Sequence, residues 1–249
     1  MIDTIINRIL RGNQAVPNLR KARPSANARL HPWFNGTVTC GKDCSACASA
    51  CPSQAITIPA AIDLGRCVLC GECGRRCPAG KIVYKDSKFI SATNRQDLVI
   101  TSSSPALPRI NVRPELKKLF GRSIKLRSVS TGGCNACESE LNACGNVNFD
   151  AGRFGIEFTA SPRHADGLVI TGPLTKAMAP ALLDTYAAMP SPKIVVLAGS
   201  CAISAGLFRD APDLDRSFLD KVPVDLFVPG CPPHPLTVIN AVLDLIGRK

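Results

Sequence analysis

Histidine and aromatic residues are scarce in this chain: among 249 residues there are 3 His, 1 Trp, 2 Tyr and 9 Phe. So few imidazoles argue against His-based zinc sites and leave little for hydrolytic catalysis. None of His31, His164 and His234 stands beside an obvious Ser or Asp partner, although a triad assembled in space stays open at this level. Aromatics make up 5% of the residues, which leaves few platforms for stacking bases and argues against nucleic acid as a partner. Neither a GxxxxGK[ST] phosphate loop nor a complete GxGxxG fingerprint occurs. The longest apolar run, around VVLA at 195–198, is far too short to span a bilayer. The N-terminus lacks the apolar stretch and small-residue cleavage site of a signal peptide, so the expected location is cytoplasmic.

What the chain does have is cysteine, 13 in all. A reducing compartment makes disulfides a poor account of so many thiols, and metal ligation a better one. Hydrophobic residues are 45% of the chain, close to the globular average, so a packed core is available.

Composition divides the chain into four stretches. Residues 1–37 open with MIDTIINRILRG, in which Ile2, Ile5, Ile6, Ile9 and Leu10 recur at helical spacing while Arg8 and Arg11 lie off the stripe. This predicts a short amphipathic helix, packed on its own domain or a neighbouring subunit, or lying on a membrane surface. An irregular basic lead-in follows. Residues 38–90 hold eight cysteines and almost no long periodic segment, so metal must supply folding energy there. Residues 91–123 include TSSSPALP, a linker by composition, then one or two helical turns around Leu116, Leu119 and Phe120. From 124 to 249 short β-rich runs (124–130, 167–172, 193–199, 224–230) alternate with helical ones (138–145, 176–189, 235–247). That alternation predicts an α/β domain with a mostly parallel, flavodoxin-like sheet and helices on both faces.

The first cysteine array reads CGKDCSACASACP and then CVLCGECGRRCP. Three cysteines two or three residues apart can wrap one iron–sulfur cubane in a tight turn. A fourth, followed by Pro, turns away to ligate the other cubane. The spacing therefore assigns Cys40, Cys44, Cys47 and Cys77 to one [4Fe–4S] cluster and Cys51, Cys67, Cys70 and Cys73 to a second. Zinc fits less well, because each half supplies a triple plus a Cys-Pro rather than two CxxC pairs. The region resembles a small α+β bacterial-ferredoxin-like two-cluster domain. One departure is the gap between Cys40 and Cys44, a residue longer than usual; without Cys40 the first cluster would be labile or three-iron.

Five cysteines remain. Cys134 and Cys137 follow the strand IKLRSVS through Gly132-Gly133, Cys201 follows KIVVLAG, and Cys231 follows VDLFVPG. In an open parallel sheet the segments just past the strand ends share one edge, where ligands bind. Three strand ends thus bring four thiols together as candidates for a third cluster. Cys144, inside a helical run, reads as a small buried apolar residue. His234 reads either as a donor toward a cluster sulfur or as a plain loop residue. A four-thiolate cubane carries about −2, so three [4Fe–4S] clusters would lower the formal charge of +11 to about +5. Part of the basic excess is then internal compensation.

TGGCNACESEL, RFGIEF with SPRHADGLVITGPLT, GSCAISAG and VPVDLFVPGCPP together resemble the small subunit of membrane-associated, energy-converting [NiFe] hydrogenases, including formate hydrogenlyase. They are also similar to the cluster-carrying subunit of respiratory complex I. The resemblance covers about 124–249 and implies one [4Fe–4S] cluster on Cys134, Cys137, Cys201 and Cys231. The separated pair Cys134 and Cys137 is of the hydrogenase type, whereas complex I uses adjacent cysteines. Glu138 and Glu140 match an acidic pair, implying a place at the large-subunit interface and a part in proton movement; as helix N-terminal acids they would instead complement the dipole. Arg163, His164 and Asp166 also match, and read as a loop holding the next strand. The resemblance implies a non-catalytic electron-transfer subunit of an oxidoreductase complex. Its partners would be a [NiFe]-hydrogenase-like large subunit and other subunits of a membrane-associated assembly, with peripheral attachment through them. The alternatives are the corresponding subunit of a quinone oxidoreductase and a non-enzymatic redox sensor.

Overall fold

The computed structural model describes residues 5–6, 9–10, 16–25, 28–36, 44–58, 61–86, 88–102 and 107–248. In the first half, strand β1 (His31–Phe34) leads to helix α1 (Ala46–Ser49), strands β2 (Ile56–Thr57) and β3 (Ala61–Asp63), helix α2 (Glu72–Arg75) and strands β4 (Ile82–Lys85) and β5 (Val99–Thr101). β1 pairs antiparallel with β4, and β3 lies between β2 and β5 in a second antiparallel sheet. Each helix has only four residues, too few to persist without tertiary support.

The second half begins with α3 (Pro114–Phe120), β6 (Ile124–Ser130), α4 (Ala136–Ala143), β7 (Ile156–Phe158) and β8 (Gly167–Thr171). It continues through α5 (Ala179–Ala188), β9 (Ile194–Ala198), α6 (Ser200–Ser204), α7 (Phe218–Lys221), β10 (Leu226–Val228) and α8 (Pro235–Leu245). All strand pairs in its sheet are parallel, in the order β7-β6-β8-β9-β10. This is the doubly wound, flavodoxin-like order, whose direction reverses between β6 and β8. β8 and β9 are buried at every position, as expected for central strands covered on both faces. Strand β7, an edge strand of three residues, is too short to show in the periodicity of the sequence.

Side-chain alternation along β8 separates two cores. Val169 faces a cluster with Leu126, Val196 and the buried face of α8, where ten of eleven residues are buried. Leu168 and Ile170 face the other core, which continues into the first half through Ile203, Leu64, Ile62, Ile100 and Trp33. The two halves thus share one apolar interior.

Within residues 91–123, a linker by composition, the described stretches 91–102 and 107–123 are built into that arrangement. Ala92 exchanges backbone hydrogen bonds with Phe227 of β10, and Leu98 and Ile100 are fully buried. Apolar residues at 90, 92, 98 and 100 outweigh the turn-forming composition around them. The lead-in docks on the second half, with Leu19 buried and its carbonyl accepting from Asn240 Nδ2 at 3.2 Å. Of the N-terminal helix, Ile5, Ile6, Ile9 and Leu10 are described, and all four are exposed. Among the described residues, no helix is long and apolar enough to cross a membrane.

Candidate metal centres

The thiols fall into three groups. Cys40 lies outside the described residues. Its expected partners are Cys44, Cys47 in α1, and Cys77 just after α2, and α1 and α2 pack against each other. Burial alone would push Cys77 up, but the backbone N–H groups of Ile82, Lys81, Ala79 and Gly80 together hold its thiol below the ordinary value. The bond from Lys81 N to Cys77 Sγ measures 3.2 Å. A ring of N–H donors around one sulfur favours a thiolate.

Cys51, Cys67, Cys70 and Cys73 line one small, mainly apolar cavity with Pro32, Ile56, Ile62 and Tyr84. Leu69 and Gly71 take φ of +55° and +81°, the left-handed turns that wrap the loop around this cavity. Burial pushes Cys67 up to about 12, and the charges of Cys73, Cys51 and Cys70 add to it even though a backbone bond opposes. The four thiols thus share the wall of one cavity. Ala55 N donates to Cys51 Sγ at 3.2 Å. The Tyr84 hydroxyl lies 3.4 Å from Cys73 Sγ, donates to Gly71 O at 2.7 Å and accepts from Gly74 N at 2.9 Å. Tyr84, which the sequence did not single out, therefore ties the loop to β4.

The third group sits past the strand ends, at the reversal of strand order. Cys134 and Cys137 leave β6, Cys201 begins α6 after β9, and Cys231 follows β10. Burial pushes Cys137 well above the ordinary thiol range, and the charges of Glu138, Cys201, Cys231 and Cys134 push the same way. Cys201 is raised to about 11, by burial and then by Cys231 and Cys134. A Cβ on Gly199, whose φ is +96°, would lie 2.5 Å from Cys137 Sγ, and one on Gly206 3.2 Å from Cys201 Sγ. The backbone thus approaches these sulfurs as only glycine permits.

The donor chemistry fits iron–sulfur clusters. Two all-thiol sets of four gather among the described residues, and one of them surrounds a cavity. Four sulfurs lining one cavity are the all-thiol donor set that an iron–sulfur cluster takes.

The second and third groups are stitched together. Ser200 Oγ donates to Cys67 O at 2.6 Å, and Ser204 Oγ to Gly65 O at 3.0 Å. Cys231 also feels the charge of Cys70. Ser200 stands next to Cys201 in the sequence, and that adjacency is the only signal that could have marked it.

The two glutamates part company. Burial would raise Glu138, yet hydrogen bonds from Ser130 and Thr171 at the ends of β6 and β8 hold it lower; the Thr171 bond is 2.6 Å. Glu140 is raised by burial and lines a polar cavity with Arg29, His31, Asp86 and His234. Arg29 Nη1 donates to Cys231 O at 2.8 Å. His234 caps α8, its Nδ1 accepting from Leu236 N at 3.1 Å, and burial lowers its pKa. Cys144 is fully buried in the α8 core, and its Sγ donates to Glu140 O at 3.3 Å. Arg163 and His164 form a 3-10 turn; Asp166 then accepts from Lys125 N through Oδ2 at 2.7 Å and so aligns β8 with β6.

Comparison with known proteins bears on the second half. An uncharacterized protein of Methanocaldococcus jannaschii is 44% identical over 135 residues, covering 53% of this chain and 90% of that protein. A probable membrane-bound hydrogenase subunit of Pyrococcus furiosus is 39% identical, covering 52% of this chain and 77% of the relative. Formate hydrogenlyase subunit 7 of Escherichia coli is 41% identical, covering 55% of this chain and 54% of the relative. The profile of one family matches residues 134–245, from the first thiol of the third group to the end of α8. The chain belongs to that family, the 20 kDa subunit of NADH ubiquinone oxidoreductase.

Proposed function

We propose that this chain is the electron-transfer subunit of a multisubunit, membrane-associated hydrogenase-like complex, and that it holds three [4Fe–4S] clusters. Cys40, Cys44, Cys47 and Cys77 would hold the first, Cys51, Cys67, Cys70 and Cys73 the second, and Cys134, Cys137, Cys201 and Cys231 the third. Each cluster, when bound, supplies reversible one-electron chemistry in which no covalent bond to substrate is made or broken. The first half reads as a bacterial-ferredoxin-like unit joined to the sheet domain.

The observation that carries this reading is the seam between the second and third groups. Ser200 and Ser204 fix the second group's loop to the third group's helix, and Cys70 and Cys231 lie within electrostatic reach. On this reading electrons would pass from the two sites of the first half, through the second, to the third at the sheet edge beside Glu138. Protein groups around each sulfur tune the sites, through the N–H donors at Cys77, the hydroxyl of Tyr84 at Cys73 and the apolar walls around Cys67. The acceptor beyond the third site would be a large subunit with a nickel–iron centre, and electron flow could run either way.

The full chain reconstituted with iron and sulfide should hold about twelve irons, four for each cluster. A plateau near four or eight would overturn the three-cluster reading. The partner is tested separately: a nickel–iron large subunit needs four cysteine ligands, normally as two CxxC motifs. The family description supports a second reading, a complex I-like quinone reductase. A co-purifying large subunit without those cysteines would select it, and a chain that purifies alone with loaded clusters would favour a redox-sensing role.

A further inference from the structure

Arg216 is a partly buried cation whose hydrogen bonds all go to backbone carbonyls. Its Nη1 donates to Pro173 O at 3.1 Å and to Cys201 O at 3.3 Å. Its Nη2 donates to Ala202 O at 2.8 Å and to Ile203 O at 3.1 Å. These acceptors engage both Nη groups but do not neutralise the charge. The ionisable groups it feels are the Cys201 thiol and the guanidinium of Arg95. Arg95 is already paired with Asp63 at 2.6 Å. Withdrawing an unpaired guanidinium from water is unfavourable unless an anion stands nearby. Among the described residues, the potential anion that acts on Arg216 is Cys201, together with whatever Cys201 binds.

We propose that Arg216 is the internal counter-cation of the third site, a positioning residue that favours electron uptake there. This rests on the reading that Cys134, Cys137, Cys201 and Cys231 hold a [4Fe–4S] cluster. A merely structural role, capping the end of α6, would need the hydrogen bonds but not the charge. The two roles separate by substitution, because Lys keeps the charge with a different donor geometry and Gln keeps donors without charge.

The test is a potentiometric titration with dithionite, followed by electron paramagnetic resonance, on the full reconstituted chain. R216Q should move the third cluster's midpoint negative. Losing one charge at close range in a partly buried site corresponds to about tenfold in the reduced-to-oxidised ratio at fixed potential, or about 59 mV for one electron. The first and second clusters should move much less, and R216K should stay near the wild type at neutral pH. On raising the pH, the R216K midpoint should fall relative to that of the wild type as the lysine loses its proton, because arginine at this position stays charged.

Equal midpoints in wild type, R216Q and R216K would overturn the proposal, as would equal shifts in both variants, which mark a structural cap. If R216Q fails to load the third cluster, the alkaline behaviour of R216K decides alone: a falling midpoint supports the counter-cation, and a flat one overturns it. Wild-type chain that never loads a cluster on these four cysteines fails the underlying reading instead, and iron content shows this before any titration.

Discussion

Ser200 Oγ and the carbonyl of Cys67 meet at 2.6 Å, joining the helix that carries Cys201 to the loop that carries Cys67 and Cys70. The same hydroxyl reaches Gly230 O at 3.1 Å, beside Cys231. One side chain thus touches the loops of three candidate ligands drawn from two sites. Ser200→Ala leaves the carbonyl of Cys67 without this donor, while Gly230 O keeps its bond from Ser200 N at 2.9 Å, and should cost about 1–2 kcal/mol of stability. Urea unfolding of the chain without metal would show it as a lower midpoint with an unchanged slope. An unaltered midpoint would mean that the seam is held by apolar packing alone.

Gly199→Ala should damage the third site selectively. Its added Cβ would lie 2.5 Å from Cys137 Sγ, at a φ that L-residues rarely adopt. Iron content of the reconstituted chain should fall from about twelve to about eight, with the second site's spectrum intact. A full complement of iron would show that the loop can yield and that the glycine is not required.

Thiol chemistry offers a second discrimination. Burial and neighbouring charge raise Cys137, whereas backbone N–H groups outweigh burial and lower Cys77. At a given pH a raised thiol carries less of the reactive thiolate than a lowered one. In the metal-free chain Cys77 should therefore react with iodoacetamide at least about tenfold faster than Cys137, since each unit of pKa changes the thiolate fraction tenfold. Peptide mass spectrometry over a time course gives both rates. Comparable rates would contradict the electrostatic account of these sulfurs.

His31 sits in β1 with its Nε2 buried and unpartnered, and burial lowers its pKa to about 4. An unfolded histidine titrates near 6.5, so between about pH 6.5 and 4 the unfolded chain binds more protons than the folded one. Stability from this group is complete above the upper value and is lost as the pH falls through the window, by about 3 kcal/mol in all. His31→Leu should flatten that part of the stability-against-pH curve relative to wild type. Parallel curves for the two proteins would remove His31 from the account.

Much of the second half was legible in the sequence. β6, β8 and β9 coincide with runs of β-branched and apolar residues, because strands buried on one or both faces need them. Glycines before Cys134, Cys201 and Cys231 marked the tight turns at the strand ends. The edge strand β7 escaped because three residues carry no readable period. The segment around Ala92 escaped because its pairing with Phe227 joins residues 135 positions apart, which no local pattern records.

The spacing of the cysteines by itself marked two triples, Cys40-Cys44-Cys47 and Cys67-Cys70-Cys73, whose sulfurs a short loop holds near one another. It also determined that three strand ends would bring four thiols to one edge, because parallel strands all point the same way. Only the tertiary structure decided how these groups relate to each other. The shared apolar core, the Ser200 bond to Cys67 and the placement of Arg216 at Cys201 all depend on long-range packing. Such contacts follow from how two halves bury their surfaces against each other, and that is a property of the folded whole.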